Sequence, residues 1–300
     1  MKDNNSLKIV AVAFLANLFI ACVKFVVYLL TSSSSMLSEA IHSLADTGNQ
    51  LLLFWGHMRS RKKADAAHPF GYSRESFLWG FIVAIQIFLL GGTYSIYEGI
   101  HKLLHPEPVR NYLLALFVLG ISIVAEGYSF LKAKKIVDAR RGRMGWLEFI
   151  KKSYDTEVNV VFIEDFAAIT GLTIAFFAVT LSKLLDCPAI DGLGSLLIGL
   201  LLVGVSLFLG KEMKSLIIGE AAPSEIVGFF EKTLKSMEGV EEIKEIKSMI
   251  LGTESIMLAA DVKFKRDLSS EEISRIIDEV EKIVRNRYPE VKIIYIEPER

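Results

Sequence analysis

Cysteine and histidine are scarce in this chain. Its 300 residues include two cysteines, Cys22 inside an apolar run and Cys187 in a short connection, and five histidines, none of them beyond His105. No CxxC pair occurs, and two isolated cysteines make no disulfide framework, so cysteine usage leaves the redox compartment open. The last 190 or so residues lack both histidine and, after Cys187, cysteine, which argues against a soft or borderline metal site built wholly within the C-terminal part. An excess of charge is also missing. The formal net charge is −1, so the total gives no reason to expect a nucleic-acid partner, and only the placement of Lys and Arg is informative. There is no low-complexity tract, no HExxH motif and no nucleophile–base constellation. An enzyme is therefore disfavoured, including an intramembrane metalloenzyme built on His42 and Asp46.

What is abundant is apolar surface. Apolar residues make up 52% of the chain and mean hydropathy is +0.40, in the range of a polytopic membrane protein. Six segments, at about 7–30, 36–58, 77–100, 111–132, 158–181 and 190–212, are long enough to cross ~30 Å of hydrocarbon. The first has no small-residue cleavage site and reads as a retained helix, not a signal peptide. The connections after the first, third and fifth segments carry only Lys102, Arg110 and Lys183 as basic residues. Those after the second and fourth carry Arg59, Arg61, Lys62, Lys63 and Arg74, and Lys132, Lys134, Lys135, Arg140, Arg141, Arg143, Lys151 and Lys152. The positive-inside rule then puts these two loops and both termini in the cytoplasm, in an integral, multi-pass protein of the lipid bilayer. Lys24, near the outer end of the first segment, is expected to snorkel.

The composition turns soluble after residue 213, giving two domains, 1–213 and 214–300. Pro223 and Ser224 start an amphipathic helix, and 240–251 and 255–264 alternate as strands about a turn at Gly252. A helix over 269–287 opens on Ser-Ser-Glu-Glu, and 291–296 forms a last strand. The order αββαβ predicts a small two-layer α+β domain.

The chemistry concentrates in SEAIHSLADTGNQ of the second segment. At ~100° per residue, Glu39, His42, Asp46 and Asn49 fall within an arc of roughly 80° on one helix face. An imidazole and a carboxylate one turn apart suit a first-row divalent metal, and ionisable groups at bilayer depth point to function. The rival reading is a hydrogen-bonded pair that locks two helices. A metal in a helical bundle takes ligands from several helices, and the fifth segment offers Glu157, Glu164 and Asp165, with Val161 projecting between the last two. Asn17 and Glu126 are weaker candidates, readable as interhelical hydrogen bonds. In the basic loop, Asp65 and His68 form an Asp-x-x-His pair, a weak signal beside the reading of a loop histidine bonded to backbone.

SMLSEAIHSLAD, HPFGYSRES, IYEGIHKLLHPEPV and IDGLGSLLIGLLLVG, followed by the αββαβ tail, together resemble the cation diffusion facilitators along the whole chain. SEAIHSLADTGNQ and IEDFAAITG are most similar to the zinc-transporter-9-like branch. The resemblance implies six transmembrane helices followed by a cytoplasmic ferredoxin-like domain. It also implies a homodimer, and export of zinc or another divalent metal in exchange for protons. The metal is the transported substrate, and no organic cofactor is implied. His42, Asp46 and Asp165 match three of the four transport ligands. Val161 stands where the fourth is usual, leaving Glu164, Glu39 or water to complete the shell, with Asn49 on the same face. Asp65 and His68 match two of three ligands of a loop site, while Tyr72 replaces the second histidine. The metal pair of the cytoplasmic interface should be absent. Arg74 sits where an interlocking salt bridge is usual, with Glu220 as its candidate partner. Zinc is the first expectation that the resemblance implies, although a shell rich in carboxylates shifts preference toward manganese, iron or cobalt. The rival function is a non-transporting membrane protein of the same fold whose cytoplasmic domain is a partner-binding or regulatory module.

Overall fold

The computed structural model describes the backbone of residues 2–299, and side chains from residue 14 onward except at 16, 151, 152, 157 and 300. Each of the six apolar segments is helical: α1 (Lys2–Thr31), α2 (Ser34–Ser60), α3 (Glu75–Gln86) running through a π-helical stretch (Ile87–Thr93) into α4 (Tyr94–Leu104), α5 (Tyr112–Arg141), α7 (Thr156–Leu184) and α8 (Ala189–Ile218), with a short α6 (Trp146–Lys152) before α7. Among the described residues four helices are long and apolar enough to cross a membrane: Glu75–Leu104, Tyr112–Arg141, Val158–Leu184 and Ala189–Ile218. The described part of α1, Asn17–Thr31, is a shorter apolar helix. α2 has the length, at 27 residues, but its stripe of Glu39, His42, Asp46, Asn49 and Gln50 dilutes its hydropathy.

The bundle is apolar outside, and its apolar core also encloses buried polar and charged side chains. Leu113, Phe117, Val124, Tyr128 and Leu131 of α5 are each more than 60% exposed, whereas Lys24, Glu39, His42, Asn49, Glu164 and Asp191 are buried. That distribution suits hydrocarbon as the outer solvent, where burial of apolar groups no longer drives helix association and close packing and hydrogen bonds do. α4 and α8 show the close packing. A Cβ at Gly99 would lie 2.5 Å from the Leu196 nitrogen, and one at Gly199 2.6 Å from the Ile96 nitrogen. In the π-helical stretch Thr93 Oγ1 donates to the Phe88 carbonyl five residues back, at 3.0 Å.

Hydrogen bonds fix the start of α2. Ser33 Oγ accepts from the Met36 N–H at 3.2 Å, and Asp191, fully buried on α8, accepts from the Ser34 N–H at 2.7 Å, the Ser35 N–H at 3.3 Å and the Ser33 hydroxyl at 2.8 Å. A carboxylate at a helix N-terminus satisfies orphan donors and meets the positive end of the helix dipole.

The C-terminal part is α9 (Ser224–Ser236), β1 (Val240–Gly252), β2 (Ser255–Phe264), α10 (Ser270–Arg287) and β3 (Val291–Glu299), the αββαβ order expected. The sheet runs β1-β2-β3, with β1 antiparallel to β2 through pairs such as Ile250 with Ile256 and β2 parallel to β3 through pairs such as Leu258 with Ile294. The alternation read along β2 places Ile256, Leu258, Ala260, Val262 and Phe264 in the core, against Phe230 and Leu234 of α9 and Val280 and Val284 of α10. Each large side chain so buried contributes about 1.5–3 kcal/mol. α10 opens on a capping box, with Ser269 and Glu272 bonded reciprocally.

The chain divides into two compact units: Met1–Gly56, Leu78–Ile150 and Asp155–Met213 in the first, and His57–Phe77, Lys151–Tyr154 and Lys214–Arg300 in the second. A single cut after residue 213 therefore leaves out the α2–α3 connection, which belongs with the second unit.

Candidate functional site

The polar face of α2 points into the bundle. Glu39, His42 and Asn49 are almost fully buried, and the Asp46 side chain is 22% exposed. His42 Nδ1 lies 3.5 Å from Asp46 Oδ1, one turn away as the spacing predicts. Neither ring nitrogen of His42 has a hydrogen-bond partner among the described residues, nor does Asp46 Oδ1. Unsatisfied polar atoms at this depth are costly, and several on one helix face mark a place built for something other than packing.

Beside this face lies a cavity of about 140 Å³ lined by α1, α2, α5 and α7. Four carboxylates reach it: Asp46, Glu126, Glu164 and Asp165. Asn17, Ser43, Gln50 and Ser129 supply its other polar lining, and Val161 its apolar flank. Asn49 Nδ2 donates to Glu164 Oε1 at 2.6 Å, tying α2 to α7, and Ser129 Oγ donates to Asp165 Oδ2 at 3.0 Å, tying α5 to α7. Asp46 and Asp165 thus face one space. His42 stands behind Asp46 and does not line it. Among the described residues no three His, Cys, Asp or Glu side chains stand close enough together to hold a metal ion as placed, so a bound cation would need side-chain rotation about the cavity. Glu157 lies outside the described side chains.

Two expectations change. Lys24 does not snorkel: it is 1% exposed, its Nζ 2.7 Å from Ser43 Oγ and 3.5 Å from Glu39 Oε2. Inside the bundle the ammonium is both paired with a carboxylate and hydrogen-bonded to a hydroxyl, the condition under which a buried charge is tolerated. Glu39, a candidate ligand, is accordingly directed at Lys24 and does not line the cavity. Its other oxygen, Oε1, has no hydrogen-bond partner among the described residues and lies 2.7 Å from where a Cβ on Gly171 would stand. Only glycine on α7 leaves Glu39 that room.

The loop pair is placed differently. Asp65 Oδ2 accepts from Tyr72 Oη at 2.8 Å and Lys62 Nζ at 3.0 Å, and Oδ1 from the Ala67 and His68 N–H groups at 3.1 and 2.9 Å. The Tyr72 hydroxyl, then Lys62, then the His68 N–H hold this carboxyl well below the usual carboxylate range. His68 Nδ1 lies 3.6 Å from Asp65, its ring 4.2 Å from that of Tyr72. Tyr72 is thus half of a brace in which Lys62 also donates to Asp65 and to the Tyr72 hydroxyl. Arg74 Nη2 approaches Met249 Sδ at 2.6 Å within the chain, and the Glu220 carbonyl accepts from the Ile250 N–H at 2.8 Å.

Glu126, rated weak from sequence, lines the cavity. Ser43, Ser129 and Gln50 do too, and only the folded bundle reveals them, since a lone serine in a span carries no signal. Comparison with known proteins adds an independent line. Residues 10–218 match the family model described as the cation efflux transmembrane domain, and residues 222–299 match that of the cation efflux protein cytoplasmic domain. The human protein named "Proton-coupled zinc antiporter SLC30A9, mitochondrial" is 33% identical over 284 residues, 92% of this chain and 50% of the relative. The Arabidopsis thaliana "Metal tolerance protein C4" is 33% identical over 266 residues, 88% of this chain and 58% of the relative. The Bacillus subtilis "Manganese efflux system protein MneP" is 23% identical over 307 residues, 99% of this chain and 97% of the relative. The chain spans about half the length of the human and Arabidopsis relatives. With the first family model covering most of its length and the second most of the rest, this chain belongs to the cation efflux family, the cation diffusion facilitators, in the zinc-transporter-9-like branch.

Proposed function

We propose that the protein is a divalent-cation exporter that exchanges its substrate for protons, working as a homodimer with both termini in the cytoplasm. The observation that carries this reading is the convergence of Asp46, Glu126, Glu164 and Asp165 on one small cavity inside an apolar bundle. Four carboxylates in such a place cannot all be ionised without cations near them, and a divalent ion or protons are the two ways to supply charge. Competition between the two for the same oxygens is an exchange mechanism in itself. A cation entering takes carboxylates in their ionised form, and protons arriving release it, so apparent affinity falls as pH falls.

In this assignment Asp46 and Asp165 are the principal ligands. Glu164 or Glu126 takes the place that Val161 leaves open, and His42 joins by rotation from behind Asp46. Asn49 positions Glu164, and Glu39 answers Lys24. Asp65 braces the loop, held by Lys62 and Tyr72 through one oxygen and by the His68 N–H through the other. Zinc is the first candidate substrate, supported by the likeness to the human zinc antiporter, and manganese the second, supported by the Bacillus relative and by an oxygen-rich shell, which is harder than a zinc shell usually is.

The test is metal flux into proteoliposomes loaded with a metal-sensitive dye, with an outward or inward proton gradient. Wild-type protein is expected to carry zinc or manganese, with flux lost by more than about tenfold in Asp46→Ala and Asp165→Ala and reduced in His42→Ala. Flux that survives both aspartate variants overturns the assignment. Flux equal to that of empty vesicles, from folded dimers, would support instead the reading of a non-transporting relative whose C-terminal domain docks a partner.

A further inference from the structure

The last turn of α2 and the residues after it form one wall of a second cavity, of about 530 Å³, within the second unit. The β1–β2 turn at Thr253–Ser255 and the start of β3 at Lys292 and Ile293 form the opposite wall. Arg61, Lys62, Lys63 and Lys292 line it, against Glu254 as the one carboxylate among the lining residues. Lys62 is committed to Asp65 and Tyr72. Lys292 donates to the neutral Pro289 carbonyl at 2.6 Å, which leaves its charge uncompensated. Arg61 and Lys63 have no ion-pair partner among the described residues. Ser73, Thr253 and Ser255 are also among its lining residues. Phe70, also among the lining residues, is 53% exposed, an aromatic ring in the basic connection between two apolar spans.

The positive-inside rule accounts for Arg61, Lys62 and Lys63 as loop residues. It does not account for Lys292, which comes from the far end of the chain and meets them across a cavity. Guanidinium, ammonium and hydroxyl donors around one space recognise phosphate oxygens. The volume lies in the ~300–1,000 Å³ range of pockets for molecules of some size, well above what a bare anion fills. An exposed aromatic beside basic residues in a short connection between two spans has the composition of a membrane-interface anchor. We propose that this cavity binds the phosphate of an anionic lipid headgroup, with Arg61, Lys63 and Lys292 on the phosphate and Phe70 among the adjacent acyl chains. The site shares no residue with the carboxylate cavity, so it stands whether or not that cavity carries metal.

The test is native mass spectrometry of the full chain in detergent, titrated with phosphatidylglycerol, phosphatidylcholine or inorganic phosphate. Wild-type protein is expected to retain phosphatidylglycerol at least tenfold more tightly than phosphatidylcholine, and millimolar inorganic phosphate is not expected to displace it. The triple variant Arg61→Gln, Lys63→Gln, Lys292→Gln is expected to lose that preference. A triple variant with the same charge change in the other basic loop, Lys132→Gln, Lys135→Gln, Arg143→Gln, is expected to keep it, as a general charge effect would not allow. The three pocket residues are exposed, so thermal unfolding in phosphatidylcholine should be unchanged, and the single variant Lys63→Glu, with at least a fivefold loss of phosphatidylglycerol retention, provides a second readout. Wild-type-like lipid preference in the pocket variants, equal loss in both triple variants, or tight retention of inorganic phosphate that lipid does not displace would each overturn the proposal.

Discussion

Lys24 and Glu39 provide the sharpest physical test of how the bundle is held. Both are essentially sealed from solvent and stand 3.5 Å apart. At an effective dielectric of about 20 their attraction is about 5 kcal/mol, set against a desolvation cost of several kcal/mol for each ion. The net value of the pair is therefore small, while the cost of breaking it from one side is large. Lys24→Met leaves a buried carboxylate with no cation, and Glu39→Gln leaves a buried ammonium with only the Ser43 hydroxyl. Each single variant is expected to lose about 3–5 kcal/mol, seen as a fall of roughly 5–15 °C in the unfolding midpoint of the detergent-solubilised protein. Lys24→Met combined with Glu39→Gln is expected to recover most of that loss, because no unpaired charge remains. The assay is a double-mutant cycle by tryptophan fluorescence or scanning calorimetry. Single variants as stable as wild type, or losses that simply add in the double variant, would refute the account of Lys24 as a buried partner.

Three further outcomes follow from the geometry. Asn49→Ala removes the donor to Glu164 and leaves a buried oxygen without that partner, at an expected cost of about 1–3 kcal/mol, measured by thermal unfolding. Gly99→Val drives a side chain into the α8 backbone and should abolish a stable fold, whereas Gly120→Val, with open space around its Cβ position, should leave the unfolding midpoint unchanged. Asp65 has a folded pKa below its unfolded value of about 4, so the loop brace contributes stability above that unfolded value and loses it only as pH falls through the lower, folded one. Hydrogen exchange at the Ala67 and His68 amides is accordingly expected to stay slow from pH 7 down to 4.5 in wild type, and to be fast throughout in Asp65→Asn.

Much of the architecture was legible because it rests on period and length. Apolar runs of about 20 residues, the alternation Ile256–Phe264 and the Ser269–Glu272 cap are local signals, and each maps onto the element it predicts. The candidate site was legible in part. The spacing of His42 and Asp46 fixes a helix face, but not which neighbouring face it meets. That Asp46 shares a cavity with Asp165 and Glu126 depends on packing between helices far apart in sequence, and the participation of Ser43 and Ser129 depends on it entirely. Lys24 misled for a related reason: snorkelling is a rule about one helix in lipid, and the partner that overrides it sits on another. Tyr72, read as an absent histidine, gained its meaning only from the ammonium of Lys62 beside it.

The carboxylate of Asp191 has one more implication. It serves the first turn of α2 while belonging to α8, so any movement that parts these helices at that end strips a helix of its cap, worth about 1–2 kcal/mol. Movement at the other end leaves the joint untouched. The starts of α2 and α8 are thus joined at one point, and any rearrangement that keeps the cap must carry those two ends together.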